Sequence, residues 1–197
     1  MTKRSHFDKP YYDHFYGRSL HLASDRRSDD LLGDFVCAYL KYLEQPVRSV
    51  VDIGCGFGGW KPVIAKHFPK ARYTGVEISE YLCEKYRWKH GSVVNFRSPK
   101  PFDLVICKDT LQYLPPKDAE AAINNLARLC RGALYLSLLT KEDWEDNCDQ
   151  ARTDADVYKR SGDWYRKILR RRFTNVGGGL FLSSRSPAIP WALEKLS

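Results

Sequence analysis

Three glycines stand close together after a short apolar segment, at positions 54, 56 and 58. Glycine has no Cβ, so the backbone there can take positive φ angles and approach a ligand closely. A helical pattern over residues 60–67 follows, and the free N–H groups at a helix N-terminus attract polar groups of a ligand. Glu77 ends the next predicted strand, at a distance typical of an acid that binds a ribose. Together these features predict a site for a cofactor that contains adenosine.

The same turn also satisfies a second pattern. Gly54, Gly56 and Gly59 have the G-x-G-x-x-G spacing of dinucleotide-binding enzymes. Three features disfavour NAD: Asp52 places a charge just before the turn, the chain is short for a second catalytic domain, and no residue set for hydride transfer is apparent. We therefore favour an adenosine cofactor other than a dinucleotide.

The elements that must position this turn alternate between strands and helices. Apolar runs predict strands at residues 50–53, 73–78, 92–96, 102–107 and 133–139. Helical spacing predicts helices at 31–43, 60–67, 80–86, 117–129 and 163–172, and a terminal hairpin is predicted from 180–182 and 189–193. Such alternation is typical of βαβ units, in which ligands bind at the carboxyl ends of parallel strands. We predict an α/β fold, with residues 1–197 as one domain.

Composition restricts the class of protein further. The chain has 197 residues and a formal net charge of +8, which favours an anionic partner such as RNA without establishing one. No apolar run approaches the length of a membrane span, and the N-terminus has no apolar signal region. The six cysteines lack metal-binding or disulfide spacing. We expect a reduced, cytoplasmic protein with no structural metal and no membrane partner.

Three segments now carry a family resemblance. Residues 50–58, 73–78 and 102–114 closely resemble, in order and spacing, the first, second and fourth motifs of class I S-adenosylmethionine-dependent methyltransferases. The resemblance implies S-adenosyl-L-methionine as the cofactor and a doubly wound, mostly parallel, seven-stranded sheet of Rossmann-like type. It further implies that residues 1–46 cover cofactor and substrate, that 47–139 bind the cofactor, and that 140–197 supply a lid and the last strands.

The resemblance also implies which residues hold the cofactor. Asp52 and the backbone of Gly54, Cys55 and Gly56 would hold its methionine part. Glu77 would accept hydrogen bonds from both ribose hydroxyls, because a carboxylate suits a diol.

Four further residues complete this expected set. Ile78 would pack on the adenine, and Cys107 or Lys108 would meet the methionine amino group through a backbone carbonyl. The third motif of the family usually supplies an acid to the adenine amino group, but this chain has Asn95 at the matching position. Because an amide oxygen can accept the same hydrogen bond, we keep Asn95 as a candidate.

Two residues after the fourth strand are the catalytic candidates. Tyr113 stands where the family often places a residue near the transferred methyl group, and Asp109 precedes it. Asp109 and Glu194 would also be loosely placed for methylation of a ribose 2′-hydroxyl, but the lysines of that residue set cannot be assigned. The early aromatic residues resemble the N-terminal segment that covers the cofactor in small-molecule members: Tyr11, Tyr12, Phe15 and Tyr16.

The charge pattern after the fifth strand bears on the substrate. Residues 142–156 carry seven acids, including Asp143, Asp146 and Asp149, against Arg152 alone. An acidic lid would attract an amine-bearing substrate and repel a phosphate backbone. We therefore expect methylation of a small molecule at N or O, with N preferred. Two alternatives stay open, an RNA methyltransferase and a non-catalytic module that binds S-adenosylmethionine, and the oligomeric state is not predicted.

Overall fold

A seven-stranded sheet runs through the centre of the molecule. The computed structural model describes residues 7–16 and 26–196. The strands are β1 (Ser49–Ile53), β2 (Arg72–Glu77), β3 (Lys89–His90), β4 (Phe102–Lys108), β5 (Cys130–Ser137), β6 (Phe173–Asn175) and β7 (Leu180–Ser183). Their order in the sheet is β3-β2-β1-β4-β5-β7-β6. The first five strands are parallel, whereas β7 runs antiparallel to both β5 and β6. This confirms the predicted doubly wound, mostly parallel sheet.

Helices cover both faces of this sheet. They are α1 (Lys9–Tyr16), α2 (Arg26–Tyr42), α3 (Trp60–His67), α4 (Glu80–Tyr86), α5 (Pro116–Leu129), α6 (Lys141–Asp146) and α7 (Gly162–Leu169). Short 3-10 helices lie at Leu111–Tyr113 and Ala192–Glu194. One core forms between the sheet and α5 and α7, and a second forms between the sheet and α2 and α3. In the described ranges, no helix combines the length and the apolar character needed to cross a membrane.

The central strand β4 shows why this sheet needs two cores. Leu104 and Ile106 point into the core beside α2 and α3, and Val105 and Cys107 point into the opposite core. All four side chains are fully buried, as expected for a parallel strand covered on both faces. Because β4 pairs with β1 in parallel, its carboxyl end lies beside that of β1, where the glycine turn begins.

The strand predicted at residues 92–96 is wrong. These residues form a turn. The edge strand is β3, which ends at His90, two residues before the predicted strand begins, and pairs with the end of β2. The Ser92 carbonyl accepts hydrogen bonds from the Asn95 and Phe96 N–H groups, and the Ser92 hydroxyl accepts one from Val94. Such local bonds satisfy the backbone without a neighbouring strand.

The terminal hairpin was predicted from 180–182 and 189–193, and its second strand is wrong. Residues 189–193 form no strand, and β7 pairs instead with β6, which begins four residues after the end of α7. The helix predicted over 163–172 ends at Leu169, and no strand was predicted where β6 follows it. Gly177, Gly178 and Gly179 all have positive φ and close the β6–β7 turn, a conformation that side chains with a Cβ disfavour.

At the amino ends of the strands, Asp103 ties three strands together. Its Oδ2 accepts hydrogen bonds from the N–H groups of Arg48 and Ser49 and from the Ser49 hydroxyl, at 2.9, 2.9 and 3.0 Å. Its Oδ1 accepts one from Arg131 Nε at 2.8 Å. Desolvation opposes ionisation of this carboxyl, but the Arg131, Arg48 and Ser49 hydrogen bonds outweigh it and hold the pKa of Asp103 below its usual value.

We predict that Asp103→Ala lowers the free energy of unfolding by about 2–3 kcal/mol at pH 7, because several charge-assisted hydrogen bonds are lost. The depressed pKa makes this contribution complete above the ordinary value of 3.8, and it fades as the pH falls through the folded value. Denaturant unfolding at pH 7 and pH 3 measures both effects. The exposed Asp146→Ala is the matched control, and equal losses in the two variants would contradict the assignment.

Candidate functional site

A cavity of about 280 Å³ opens at the carboxyl ends of β1, β2 and β4. Its floor is the turn after β1, and its sides are the ends of β2 and β4 together with residues 91–93. Phe7 and two tyrosines of α1, Tyr11 and Tyr12, close it from above. The site thus lies where a doubly wound sheet reverses its strand order, which is where such folds bind ligands.

Backbone hydrogen bonds fix the glycine turn in place. The N–H groups of Gly54 and Cys55 both donate to the Val76 carbonyl, at 2.8 and 3.2 Å. Gly54 has a φ of +76°, and a Cβ added there would lie 2.2 Å from Thr110 Oγ1. By contrast, a Cβ on Gly56 would meet nothing within 4 Å. The turn is therefore packed against the loop after β4 at Gly54 and open towards the cavity at Gly56.

Trp88 supports the turn from the other side, and the sequence analysis missed it. Its Nε1 donates to the Gly56 carbonyl at 2.9 Å. Its ring fills the space that a Cβ would need at Gly58 and at Gly75. Trp88 lies between α4 and β3, outside the motifs of the sequence analysis. Its only sequence signal was that of a large aromatic residue in a polar stretch.

Glu77 connects the end of β2 with the glycine turn. Its side chain is buried, with 3% exposure, and lines the cavity. Oε2 accepts a hydrogen bond from the Gly56 N–H at 2.9 Å. Oε1 accepts hydrogen bonds from the N–H groups of Ile78 and Ser79, at 2.9 and 3.1 Å. Because each carboxylate oxygen has two lone-pair directions, Oε2 keeps capacity for a ligand hydroxyl.

Asp52 lies beside Glu77 at the end of β1 and is 1% exposed. The Tyr73 hydroxyl donates to its Oδ2 at 2.5 Å. Desolvation raises the pKa of Asp52 to about 7, and the charge of Glu77 also raises it, whereas the Tyr73 hydrogen bond and Lys108 lower it. Asp52 therefore exchanges its proton near neutral pH, and a cationic group bound beside it would favour the carboxylate.

The loop after β4 supplies the third side of the cavity. Lys108 and Asp109 both line it and form an ion pair at 2.9 Å. Asp109 has a φ of +53°, which is uncommon for a residue with a Cβ. Its N–H donates to the Ser137 carbonyl, and the Thr110 hydroxyl donates to the Lys108 carbonyl. This strained turn is therefore held by specific bonds, as is common at functional sites.

An aromatic cluster closes the cavity above this loop. The hydroxyls of Tyr11 and Tyr113 are 3.1 Å apart, and the Tyr11 hydroxyl also donates to Asp154 Oδ2 at 3.3 Å. The ring of Phe7 packs edge-on against both tyrosines, with centroid distances of 5.0 and 5.1 Å. The Ser79 hydroxyl donates to the Phe7 carbonyl at 2.6 Å. The N-terminal segment is thereby tied to the end of β2.

Most of the candidate residues line this cavity. They are Asp52, Gly54, Cys55, Gly56, Glu77, Ile78, Lys108, Asp109 and Tyr113. Cys107, which was expected to contribute its backbone carbonyl, is not a lining residue. Its side chain is buried in the core, where desolvation raises the pKa of the thiol to about 12. Asn95 does not line the cavity either, because the turn of residues 92–96 exposes it and brings Ser92 and Val93 to the cavity instead. In the described ranges, no cluster of three or more potential metal ligands occurs.

The acidic segment separates into residues with different roles. Asp143 forms a capping box with Thr140 at the start of α6, and Asp146 and Asp149 are exposed. Asp154 is the member that contacts Tyr11. Glu194 accepts a hydrogen bond from Tyr42 and does not line the cavity, so it does not join Asp109 there. Asp154 therefore contacts the cavity residue Tyr11 without itself lining the cavity.

Comparison with known proteins addresses the family. Residues 51–132 match a family model described as "Methyltransferase domain". The chain is 29% identical over 121 residues to a ubiquinone biosynthesis O-methyltransferase of Coxiella burnetii. The aligned region covers 52% of this chain and 50% of that protein. It is 39% identical over 56 residues to a malonyl-[acyl-carrier protein] O-methyltransferase of Brevibacillus brevis, covering 27% of this chain and 20% of that protein.

Residues 51–132 thus resemble a methyltransferase domain. The chain spans about half the length of the Coxiella relatives. It shares its fold with an S-adenosylmethionine-dependent methyltransferase from Clostridium acetobutylicum, with a TM-score of 0.60, 13% identity and coverage of 82% and 85%. It also shares it with a sugar N-methyltransferase from Streptoalloteichus, with a TM-score of 0.61, 17% identity and coverage of 89% and 92%.

We predict that Asp52→Asn stabilises this protein more at pH 8 than at pH 5. Because the pKa of Asp52 is about 7 when folded and 3.8 ordinarily, the folded protein binds the extra proton and loses stability as the pH rises between these values. Asparagine does not titrate, so the variant should gain about 1–3 kcal/mol relative to wild type over this range. Denaturant unfolding at both pH values measures it, with Asp146→Asn as control. Parallel pH dependence in wild type and Asp52→Asn would refute the raised pKa.

Proposed function

We propose that this protein transfers a methyl group from S-adenosyl-L-methionine to a small molecule. The observation that carries the proposal is the cradle formed by Glu77 and the glycine turn at the ends of β1 and β2. The similarity of residues 51–132 to a methyltransferase domain supports it independently. In addition, a magnesium protoporphyrin IX methyltransferase from Synechocystis shares the fold, with a TM-score of 0.56, and its crystal structures contain S-adenosylmethionine and the demethylated product S-adenosylhomocysteine.

The residues of the cavity fit this cofactor. Above Gly56 there is open space, because a Cβ there would meet no atom within 4 Å. Glu77 has a carboxylate oxygen available to ribose hydroxyls, and the half-exposed Ile78 offers an apolar side chain to adenine. Asp52 and the backbone at Lys108 lie where the positively charged methionine part would be held. When bound, the cofactor supplies a methyl group on a positively charged sulfur.

The contribution of the chain is to orient the reactants and to exclude water. A methyl displacement requires the acceptor, the methyl group and the leaving atom to be aligned. Phe7, Tyr11 and Tyr113 pack edge-to-face over the cavity and shield it from solvent. Because water would compete with the acceptor and weaken the electrostatic contacts, this closure favours transfer to a bound molecule.

We further propose that the acceptor carries an amine. The polar groups near Tyr113 include the Tyr11 hydroxyl, the Asp109 carboxylate, which is paired with Lys108, and the Asp154 carboxylate, which contacts Tyr11. Carboxylates and aromatic faces attract a cation. An ammonium group must lose a proton before its nitrogen can attack, and the hydroxyls of Tyr113 and Tyr11 connect the cavity to Asp154. This chain of hydrogen bonds provides a route for that proton.

Incubation with a methyl donor labelled on the methyl group tests the proposed reaction. A small-molecule extract and bulk RNA are offered in separate reactions, and the labelled products are identified by mass spectrometry. We expect label in an amine-bearing small molecule, together with release of S-adenosylhomocysteine. Label confined to RNA would favour the alternative substrate class, and cofactor binding without any turnover would favour a binding module.

We predict that Glu77→Ala weakens S-adenosylhomocysteine binding about tenfold to a hundredfold, the loss expected for charge-assisted hydrogen bonds. Glu80→Ala is the matched control, because Glu80 is exposed on α4 and does not line the cavity. Calorimetric titration gives the dissociation constants, once circular dichroism has shown that both variants are folded. Equal small changes in the two variants would show that Glu77 does not hold the cofactor.

We predict that Asp154→Asn raises the KM of the acceptor about tenfold, a loss of roughly 1.4 kcal/mol, while S-adenosylhomocysteine affinity stays within twofold. The amide can still accept the Tyr11 hydrogen bond but carries no charge for an ammonium group. Steady-state kinetics with the acceptor found by labelling measures the change. The double variant Asp146→Asn, Asp149→Asn removes two exposed charges of the same segment and should leave the KM unchanged. If the double variant has the larger effect, Asp154 is not part of the acceptor site.

A further inference from the structure

Arg160 is a buried cation that does not line the cavity, with 8% exposure. Its Nε donates to the Tyr165 hydroxyl at 2.8 Å. Its Nη1 and Nη2 donate to the carbonyls of Leu114 and Leu111, at 2.7 and 2.6 Å. No carboxylate of the described residues forms an ion pair with it. The guanidinium therefore depends on backbone carbonyls for its burial.

Aromatic rings surround this cation. The guanidinium carbon lies 5.8, 5.2 and 5.2 Å from the ring centroids of Tyr158, Trp164 and Tyr165. Cation–π contacts of this kind offset part of the desolvation cost of a buried charge. A planar guanidinium can donate in three directions at once, which a lysine ammonium on its flexible chain does less well. The surroundings thus suit an arginine whose donors hold separate parts of the backbone.

The backbone that Arg160 holds is the short 3-10 helix that carries Tyr113. Leu111 and Leu114 stand on either side of Tyr113, and Tyr158 N–H donates to the Gln112 carbonyl between them at 2.8 Å. The internal hydrogen bonds of this helix are long, at 3.3 and 3.2 Å. A single 3-10 turn with long internal bonds has little stability of its own. The contacts from residues 158–160 must therefore fix its orientation.

The same arginine links two parts of the acceptor end of the cavity. Its carbonyl accepts a hydrogen bond from Lys141 N–H at the start of α6. Asp154, which contacts Tyr11, lies six residues before it in the same segment. Tyr113 meets Tyr11 from the other side. Arg160 consequently joins the segment after β5 to the loop after β4 behind the aromatic cluster.

We propose that Arg160 is a positioning residue that sets the Tyr113 side chain at the acceptor end of the cavity. The proposal rests on the proposed function for its catalytic meaning, because Tyr113 faces the acceptor only if the cavity binds cofactor and acceptor together. Arg160 acts through the carbonyls of Leu111 and Leu114 and does not itself touch the reactants. Its loss should change acceptor turnover but not cofactor binding.

Fluorine NMR of protein labelled with 3-fluorotyrosine tests this placement without an acceptor. The Tyr113 signal is assigned by its disappearance in Tyr113→Phe, and the signal of the core residue Tyr135 reports whether the fold is intact. In Arg160→Gln we expect the Tyr113 signal to shift or broaden while that of Tyr135 stays in place. Lys159→Gln is the matched control, since Lys159 is exposed and its ammonium lies over Trp144, and it should leave Tyr113 unchanged.

A Tyr113 signal that is unchanged in a folded Arg160→Gln protein would overturn the proposal. If that variant does not fold, Arg160→Lys keeps the charge but cannot reach both carbonyls, and an unchanged Tyr113 signal there would overturn it equally. S-adenosylhomocysteine titration separates this proposal from the proposed function. Wild type that fails to bind S-adenosylhomocysteine contradicts the function, whereas variants that bind as tightly as wild type and have a displaced Tyr113 support the positioning role. With an identified acceptor, kcat/KM in Arg160→Gln should fall about tenfold, or roughly 1.4 kcal/mol.

Discussion

The buried carboxylate of Glu77 is the interaction on which the site depends. Its two oxygens accept hydrogen bonds from three backbone N–H groups, one in the turn after β1 and two directly after β2. Ser79, whose N–H is one of these donors, also donates a hydrogen bond from its hydroxyl to the Phe7 carbonyl. The charge thereby connects the cofactor turn, the end of β2 and the N-terminal aromatic segment. A buried carboxylate without these donors would be costly, so the three parts are held together as a unit.

The sequence predicted the parts of the fold that depend on local pattern. The buried strands β1, β2, β4 and β5 and the helices α3, α4 and α5 agree with their apolar runs and helical spacing, because these signals are carried by consecutive residues. The two edges of the sheet were not predicted. β3 has two residues, which is too short for any periodicity, and β6 has three residues directly after the predicted helix of 163–172. The glycines at 177–179, which form the turn between β6 and β7, were the sequence signal for this hairpin.

The candidate site divides in the same way. Asp52, the glycine turn and Glu77 were expected to lie together because their spacing is local, and they do line one cavity. Asn95 was placed by analogy with a motif whose residues do not match here, and the Ser92 turn exposes it. The aromatic cluster could not be assembled from sequence, since it brings Phe7, Tyr113 and, through Tyr11, Asp154 together from distant positions. A run of acids looks alike whether a carboxylate caps a helix or faces a cavity, and only tertiary contacts distinguish the two.

Calorimetric titration of the wild-type protein with S-adenosylhomocysteine and, separately, with NAD tests the central claim most directly. Both ligands contain adenosine and a ribose diol, so the comparison asks whether the cradle of Glu77 and the glycine turn selects the methyl-donor type of cofactor. We expect saturable binding of S-adenosylhomocysteine in the micromolar range and no saturable heat from NAD. Saturable NAD binding with no response to S-adenosylhomocysteine would contradict the account.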